Sequence, residues 1–189
     1  MGRWRAVGGV VGPIALIGTW AALGARWRGY SPIHDPISRL AAVGSPDRVA
    51  MTGGFVAYAA GVVLYVPELH RAYSRWTAAA AALSAVGTLA IAAAPLDSGI
   101  GGRPHAAAAG LTYTALAAIP LSAARPLAAG GHTRAAALSI AAGLAAGACL
   151  ASSAVGEART GLWQRSGLTI GDAWLIASAV AVLRRARRA

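Results

Sequence analysis

Apolar residues fall into six blocks, each close to the length of a membrane crossing, and polar residues collect in the short segments between them. The blocks span about 6–25, 49–66, 76–95, 105–124, 135–154 and 168–183. A helix rises ~1.5 Å per residue, so ~20 apolar residues cover the ~30 Å hydrocarbon layer. Breakers punctuate the gaps, among them Pro32, Pro36 and Pro46 after the first block and the Gly/Pro-rich stretch 96–105 after the third. The pattern predicts an all-α fold: an integral membrane bundle of six transmembrane helices, forming a single transmembrane domain over 1–189. The sequence A-L-G-A at 22–25 resembles a signal cleavage site, but the apolar block before it is long for a signal and is read as an uncleaved first span.

Composition sharpens that picture. The chain is 57% hydrophobic and only 12% charged, about half the ~25% of an ordinary soluble domain. Its formal charge of +11 would point to nucleic acid in a soluble protein. Here the arginines flank apolar blocks, the placement that sets membrane orientation, so no nucleic-acid partner is expected. All 17 basic residues are arginine; with the richness in alanine and glycine, this points to a GC-rich bacterial genome. Six crossings put both termini on one side, which carries ten arginines against seven on the other. The positive-inside rule then makes both termini cytoplasmic in a bacterial inner (plasma) membrane. Trp4 and Trp76 fall at the inner interface, Trp27 and Trp163 at the outer. One cysteine, Cys149, allows no intrachain disulfide and no thiolate-rich zinc site.

The candidate chemistry lies on the outer side. The loop R-G-Y-S-P-I-H-D-P-I-S-R-L-A-A-V-G-S-P-D (28–47) concentrates polar groups between apolar neighbours. His34, Asp35, Ser38, Arg39, Asp97, His105, Glu157, Gln164, Arg165 and Asp172 all map to this side. An ionisable group near hydrocarbon is costly unless paired or wetted, so such groups are expected to face a bundle cavity. Asp172 is expected about one turn into the sixth span, where a helix N-terminus favours a carboxylate. Arg39 and Arg165 are its candidate partners and those of Asp97. His and Asp together suit general acid–base work, and a serine beside histidine can be an activated nucleophile. The candidate catalytic set is Asp97, His105, His34, Asp35 and Ser38; the candidate substrate-binding set is Arg39, Gln164, Arg165, Asp172 and Trp163. Each has a plainer reading as well: Asp97 as a turn residue, Asp172 as a helix cap, Arg39 as a complement to phosphate head groups. His34, His105 and Asp97 have no known ligand spacing, so no metal and no cofactor is expected. No G-x-S-x-G, H-E-x-x-H or glycine-rich phosphate loop occurs.

The loop segment Y-S-P-I-H-D-P-I-S-R-L-A-A-V-G and the late G-L-W-Q-R-S-G-L-T-I-G-D-A-W-L resemble the bacterial membrane proteins of the domain-of-unknown-function 998 family. The matching positions are Ile37, Ser38, Leu40 and Gly44, then Gly161, Leu162, Gln164 and Arg165. The resemblance implies a multi-span helical bundle. It also implies a distant similarity to the Frag1-like group, which includes proteins tied to lipid remodelling and membrane stress. It carries no catalytic assignment.

Three functional classes follow. The first is an outward-facing polar pocket handling a lipid or isoprenoid-like amphiphile, as an acid–base enzyme, with Arg39 and Arg165 on an anionic head group. The partners it implies are membrane lipid and a hydrophobic small molecule. The second is a transporter or channel, disfavoured because spans two, three and five show almost no polar residues in their middles. The third is a non-catalytic assembly partner, oligomerising through small-residue helix faces such as G-L-A-A-G (143–147).

Overall fold

The computed structural model describes residues 3–99, 102–155 and 158–188. Among them the backbone forms six α-helices and one short 3₁₀ segment: α1 Arg3–Arg26, the 3₁₀ segment Ile37–Ala41, α2 Arg48–Ala72, α3 Arg75–Ala93, α4 Gly102–Ala129, α5 Thr133–Val155 and α6 Thr160–Arg188. All six helices are long and apolar enough to cross a membrane. The all-α, six-span bundle expected from the sequence is the fold observed.

Five of the six helices outrun their apolar blocks at both ends, α3 being the exception, because backbone hydrogen bonding continues until a cap stops it, whatever the hydropathy of the side chains. The segment 67–75, which separates the second and third apolar blocks, is helical up to Ala72, with Pro67 inside α2. The Ser74 hydroxyl then caps α3 by accepting from the Thr77 N–H at 3.1 Å. The turn after α4 shrinks to the few residues around Gly131, whose φ of +79° lies in the left-handed region that glycine adopts without strain. The largest shift is in α6, which starts at Thr160, eight residues before the expected span.

Each helix packs on its neighbours in sequence, and α6 closes the ring onto α1. α6 also touches α4 and α2 across the ring. The exterior is apolar: Val11, Ile14, Val56, Leu83, Leu138 and Leu144 are exposed. Polar side chains are buried instead, including Thr77, Ser84, Thr88, Thr112, Ser139 and Asp172. An apolar exterior over a core that mixes apolar and polar side chains suits hydrocarbon outside. The α1–α2 crossing needs glycine: a Cβ on Gly61 would stand 2.7 Å from both the Gly12 Cα and the Gly8 carbonyl oxygen.

The bundle has a loop end, where 27–47, the α3–α4 connection and the α5–α6 connection gather. The opposite, terminal end carries the start of α1, the end of α6 and the two tight turns. Spans two and three, expected to be almost free of polar residues in their middles, bury Tyr58 of α2 and Ser84 and Thr88 of α3 about halfway along or nearer the loop end, and Asp172 of the sixth span is buried at similar depth. Hydropathy averages conceal them because each is one polar group among many alanines.

Candidate functional site

α6 organises the loop end. Gly161, near its start, has no side chain to hold the first loop away; a Cβ there would meet the Asp35 carbonyl oxygen at 2.3 Å and that of Pro32 at 2.7 Å. The loop backbone therefore lies directly on the helix, and the Leu162 N–H donates to the Ile33 carbonyl at 2.9 Å. One turn on, Arg165 is buried beneath the loop. Its Nη1 donates to the carbonyls of Pro32 (2.7 Å), Asp35 (2.9 Å) and Gly161 (3.0 Å), and its Nη2 donates to the Tyr30 hydroxyl. The guanidinium also lies 5.3 Å from the ring centroids of both Trp20 and Tyr30. Carbonyl dipoles and aromatic faces thus solvate this cation, and among the described residues no carboxylate forms an ion pair with it. This corrects the expectation that Arg165 partners Asp97 or Asp172. Its Nη1 and Nη2 donors close the loop, while Nε has no hydrogen-bond partner among the described residues.

Gln164 makes the second cross-link. It is buried, accepts from the Ile37 N–H at 2.7 Å and donates to the Tyr113 hydroxyl at 2.5 Å. One amide therefore ties the 3₁₀ segment, α4 and α6 together.

Two spaces meet at this junction. A small cavity of about 30 Å³ is lined by Ser38, Thr88, His105, Thr112, Tyr113 and Gln164, with apolar walls from Leu16, Phe55 and Leu168. It is large enough for a water molecule and offers the polar partners a water needs. An open cleft of about 270 Å³ shares Ser38, His105, Tyr113 and Gln164 and adds Ser153 and Thr160. The cleft continues past Gly110 and Ala154 into an apolar groove of about 420 Å³ between α4 and α5.

His105 stands in the wall common to cavity and cleft, and it is buried. Its Nδ1 lies 2.8 Å from the carbonyl oxygen of Ala94, at the end of α3. A carbonyl only accepts, so Nδ1 carries hydrogen and Nε2 is the nitrogen that exchanges a proton. Ser38, buried in the 3₁₀ segment, shares both linings with it.

The remaining candidates are placed differently. Asp35 accepts from the Ser31 N–H at 2.7 Å and from Arg39 at 2.5 Å. Burial pushes its carboxyl up and is the largest single influence, but the Ser31 N–H and Arg39 together outweigh it and hold the carboxyl below its ordinary value. Arg39 is thus committed to Asp35 and lies 5.5 Å from the Trp27 ring, with its side chain 44% exposed. The Tyr30 hydroxyl is pushed above its ordinary value by burial, with Arg165 opposing. His34 is exposed. Asp97 is exposed in a left-handed turn at φ +63° and lines neither cavity nor cleft. Trp163 is 39% exposed and also lies outside both linings. Glu157 falls outside the described residues. Among the described residues, no three His, Cys, Asp or Glu side chains gather to hold a metal ion.

Asp172 is corrected in depth. With α6 beginning at Thr160, it sits twelve residues in, ~18 Å from the helix start. It therefore neither caps the helix nor feels its N-terminus. It is fully buried, and among the described residues neither carboxyl oxygen has a hydrogen-bond partner.

The structure therefore brings together Ser38, His105 and Gln164, with Arg165 clamping the loop beside them. Tyr113, Tyr30, Trp20, Thr88 and Thr112 complete the arrangement without having stood out in the sequence. One usable signal was helical spacing: Ala109, Thr112 and Tyr113 follow His105 at i+4, i+7 and i+8, on one face of α4.

Six long apolar helices with an apolar exterior define a polytopic membrane protein. Within that class the chain belongs to the family described as "Protein of unknown function (DUF998)", whose model matches residues 10–181. No curated protein and no solved structure matches the chain.

Proposed function

We propose that this protein binds a membrane amphiphile at its loop end and performs acid–base chemistry on it. The carrying observation is the continuity of two unlike spaces: a cleft with Ser38, His105, Tyr113 and Gln164 in its wall, and an apolar groove leading from it between α4 and α5. A head group suits the first and an acyl or isoprenoid chain the second. His105 is the acid–base group, acting through Nε2. Ser38 is the hydroxyl beside it, and Asp35, His34 and Asp97 serve the solvent side. With Arg165 and Arg39 engaged internally, hydroxyl and amide groups do most of the recognition, which favours a weakly charged head group. On the charge asymmetry, the cleft faces outward from a bacterial plasma membrane with both termini cytoplasmic.

Gly110 tests the reading. It lies at the junction of cleft and groove, and a Cβ there meets nothing within 4 Å. Gly110→Leu therefore fills the passage, and leucine is the better helix former. The control is Gly53→Leu on the exposed face of α2, also unobstructed. Lipids co-purifying with each protein are quantified by native mass spectrometry. Loss of a retained species in Gly110→Leu alone supports the proposal; identical lipid profiles in all three proteins overturn it.

A further inference from the structure

We propose that Asp172 is a buried proton-binding site, loaded from the loop end through the His105 cavity. The inference goes beyond amphiphile binding and stands or falls separately from it. It rests on three independent features: the position of Asp172 beneath the cavity, its missing partners, and the apolar layer below it.

Helical register places Asp172 under the cavity floor. Leu168, Thr88 and Phe55 line the cavity. Asp172 follows Leu168 by four residues along α6, Ser84 lies four before Thr88 along α3, and Tyr58 lies three after Phe55 along α2. Given the direction of each helix, all three steps lead one turn deeper, away from the loop end. There the Tyr58 hydroxyl and Ser84 Oγ are 3.1 Å apart, a bond in which either can donate. A mid-span cluster of one carboxyl, one phenol and one hydroxyl thus sits beneath a space able to hold water. Thr88 and Thr112 are at the boundary.

Asp172 has no group to neutralise it. Among the described residues, the ionisable side chain within electrostatic reach is Tyr58 of α2. Among the described residues, no arginine or histidine makes an ion pair or hydrogen bond with its carboxyl oxygens. A bare carboxylate without donors is costly in such surroundings, and a protonated one carries no charge. Below the cluster, Val62, Leu116, Ile119 and Leu175 form a fully buried apolar layer, and the next buried polar pair, Tyr65 with Ser178, lies beyond it; the proposed proton route therefore runs to the loop end. In the transfer, His105 Nε2 takes a proton from the cleft and hands it to a cavity water. That water gives up a proton, which becomes the O–H of Asp172, and His105 returns to its starting form.

Infrared spectroscopy of the full-length protein in lipid nanodiscs provides the test. Asp35, Asp47 and Glu68 are paired with Arg39, Arg26 and Arg71, and Asp97 is exposed; a Glu157→Gln background removes the remaining carboxyl. At neutral pH, a protonated-carboxyl stretch is then expected from Asp172. It should shift in D₂O and vanish in Asp172→Asn. Thr112→Ile, which fills the cavity boundary, should keep the band but slow its deuterium shift at least several-fold. Should Asp172→Asn fail to fold, the wild-type band and its slowing in Thr112→Ile still decide the matter. Absence of the band from the wild type, its loss on adding sodium or potassium alone, or an unchanged exchange rate in Thr112→Ile would each overturn the proposal.

Discussion

Replacing Arg165 by methionine separates a structural clamp from a ligand-binding arginine. The substitution keeps an unbranched apolar stem and deletes the guanidinium. What is lost is specific: donors to the Pro32 and Asp35 carbonyls and to the Tyr30 hydroxyl, all in the first loop, and a cation between the Trp20 and Tyr30 rings. Hydrogen bonds from a charged donor are worth ~1.5–3 kcal/mol each, and cation–π contacts add ~0.5–2 kcal/mol. The deserted loop carbonyls lie near the bundle end and regain part of that from water. The desolvation of the guanidinium, which costs several kcal/mol in the native state, is also removed. The net expected loss is therefore about 2–5 kcal/mol, confined to the loop rather than to the helix ring. Hydrogen–deuterium exchange in detergent should show faster exchange across 28–41 in Arg165→Met, with α2 to α5 unchanged. Lysine should rescue only part, because one ammonium can replace Nη1 at the carbonyls but not Nη2 at the Tyr30 hydroxyl, and it lacks the planar guanidinium beside the Trp20 and Tyr30 rings. Wild-type protection of the loop in Arg165→Met would refute the clamp and return Arg165 to the set of head-group ligands.

Three further outcomes are expected. Gly61→Leu drives a side chain into Gly12 and the Gly8 carbonyl; it should abolish a folded, monodisperse preparation by size exclusion, whereas Gly53→Leu should not. The Asp35 carboxyl is held below its ordinary value, so its contribution is fully present above the unfolded-state value of ~4 and fades as pH falls through the lower folded value. Fluorescence of Trp27, which stacks on Tyr30 and lies near Arg39, should therefore change only below about pH 4, and Asp35→Asn should remove that transition; a transition unchanged in Asp35→Asn argues against the assignment. For orientation, a single cysteine at the exposed Val43 in a Cys149→Ala background should react with membrane-impermeant maleimide in intact cells, and labelling only after lysis reverses the proposed topology.

The number and order of the helices were legible because each span carries its own hydropathy, independent of its neighbours. The convergence of Ser38 with His105 and Gln164 was legible only as a topological consequence, since loops on one side of a short-loop bundle must meet. Partnerships were not legible. Asp35 takes Arg39 four residues away, while Asp172, the carboxyl most in need of a cation, has none. The motif at 143–147, read as an association face, is engaged within the chain: a Cβ on Gly143 would meet the Leu121 side chain at 2.5 Å. Spacing reports which residues share a face, but not what covers that face.

The displaced start of α6 has the same origin. Gln164 and Arg165 lower the local hydropathy, and a window average places the span after them. The helix begins earlier because these side chains are satisfied by the first loop and by α4, inside the protein. An internally solvated polar residue exacts little from the membrane, so it does not end a span. The eight-residue error and the candidate site are thus one fact. Where polar side chains turn inward, hydropathy reports a boundary and the fold places a binding wall. The same shift moves Asp172 from the edge of the bundle to its interior. That relocation makes its missing partners a question of proton chemistry rather than of helix capping.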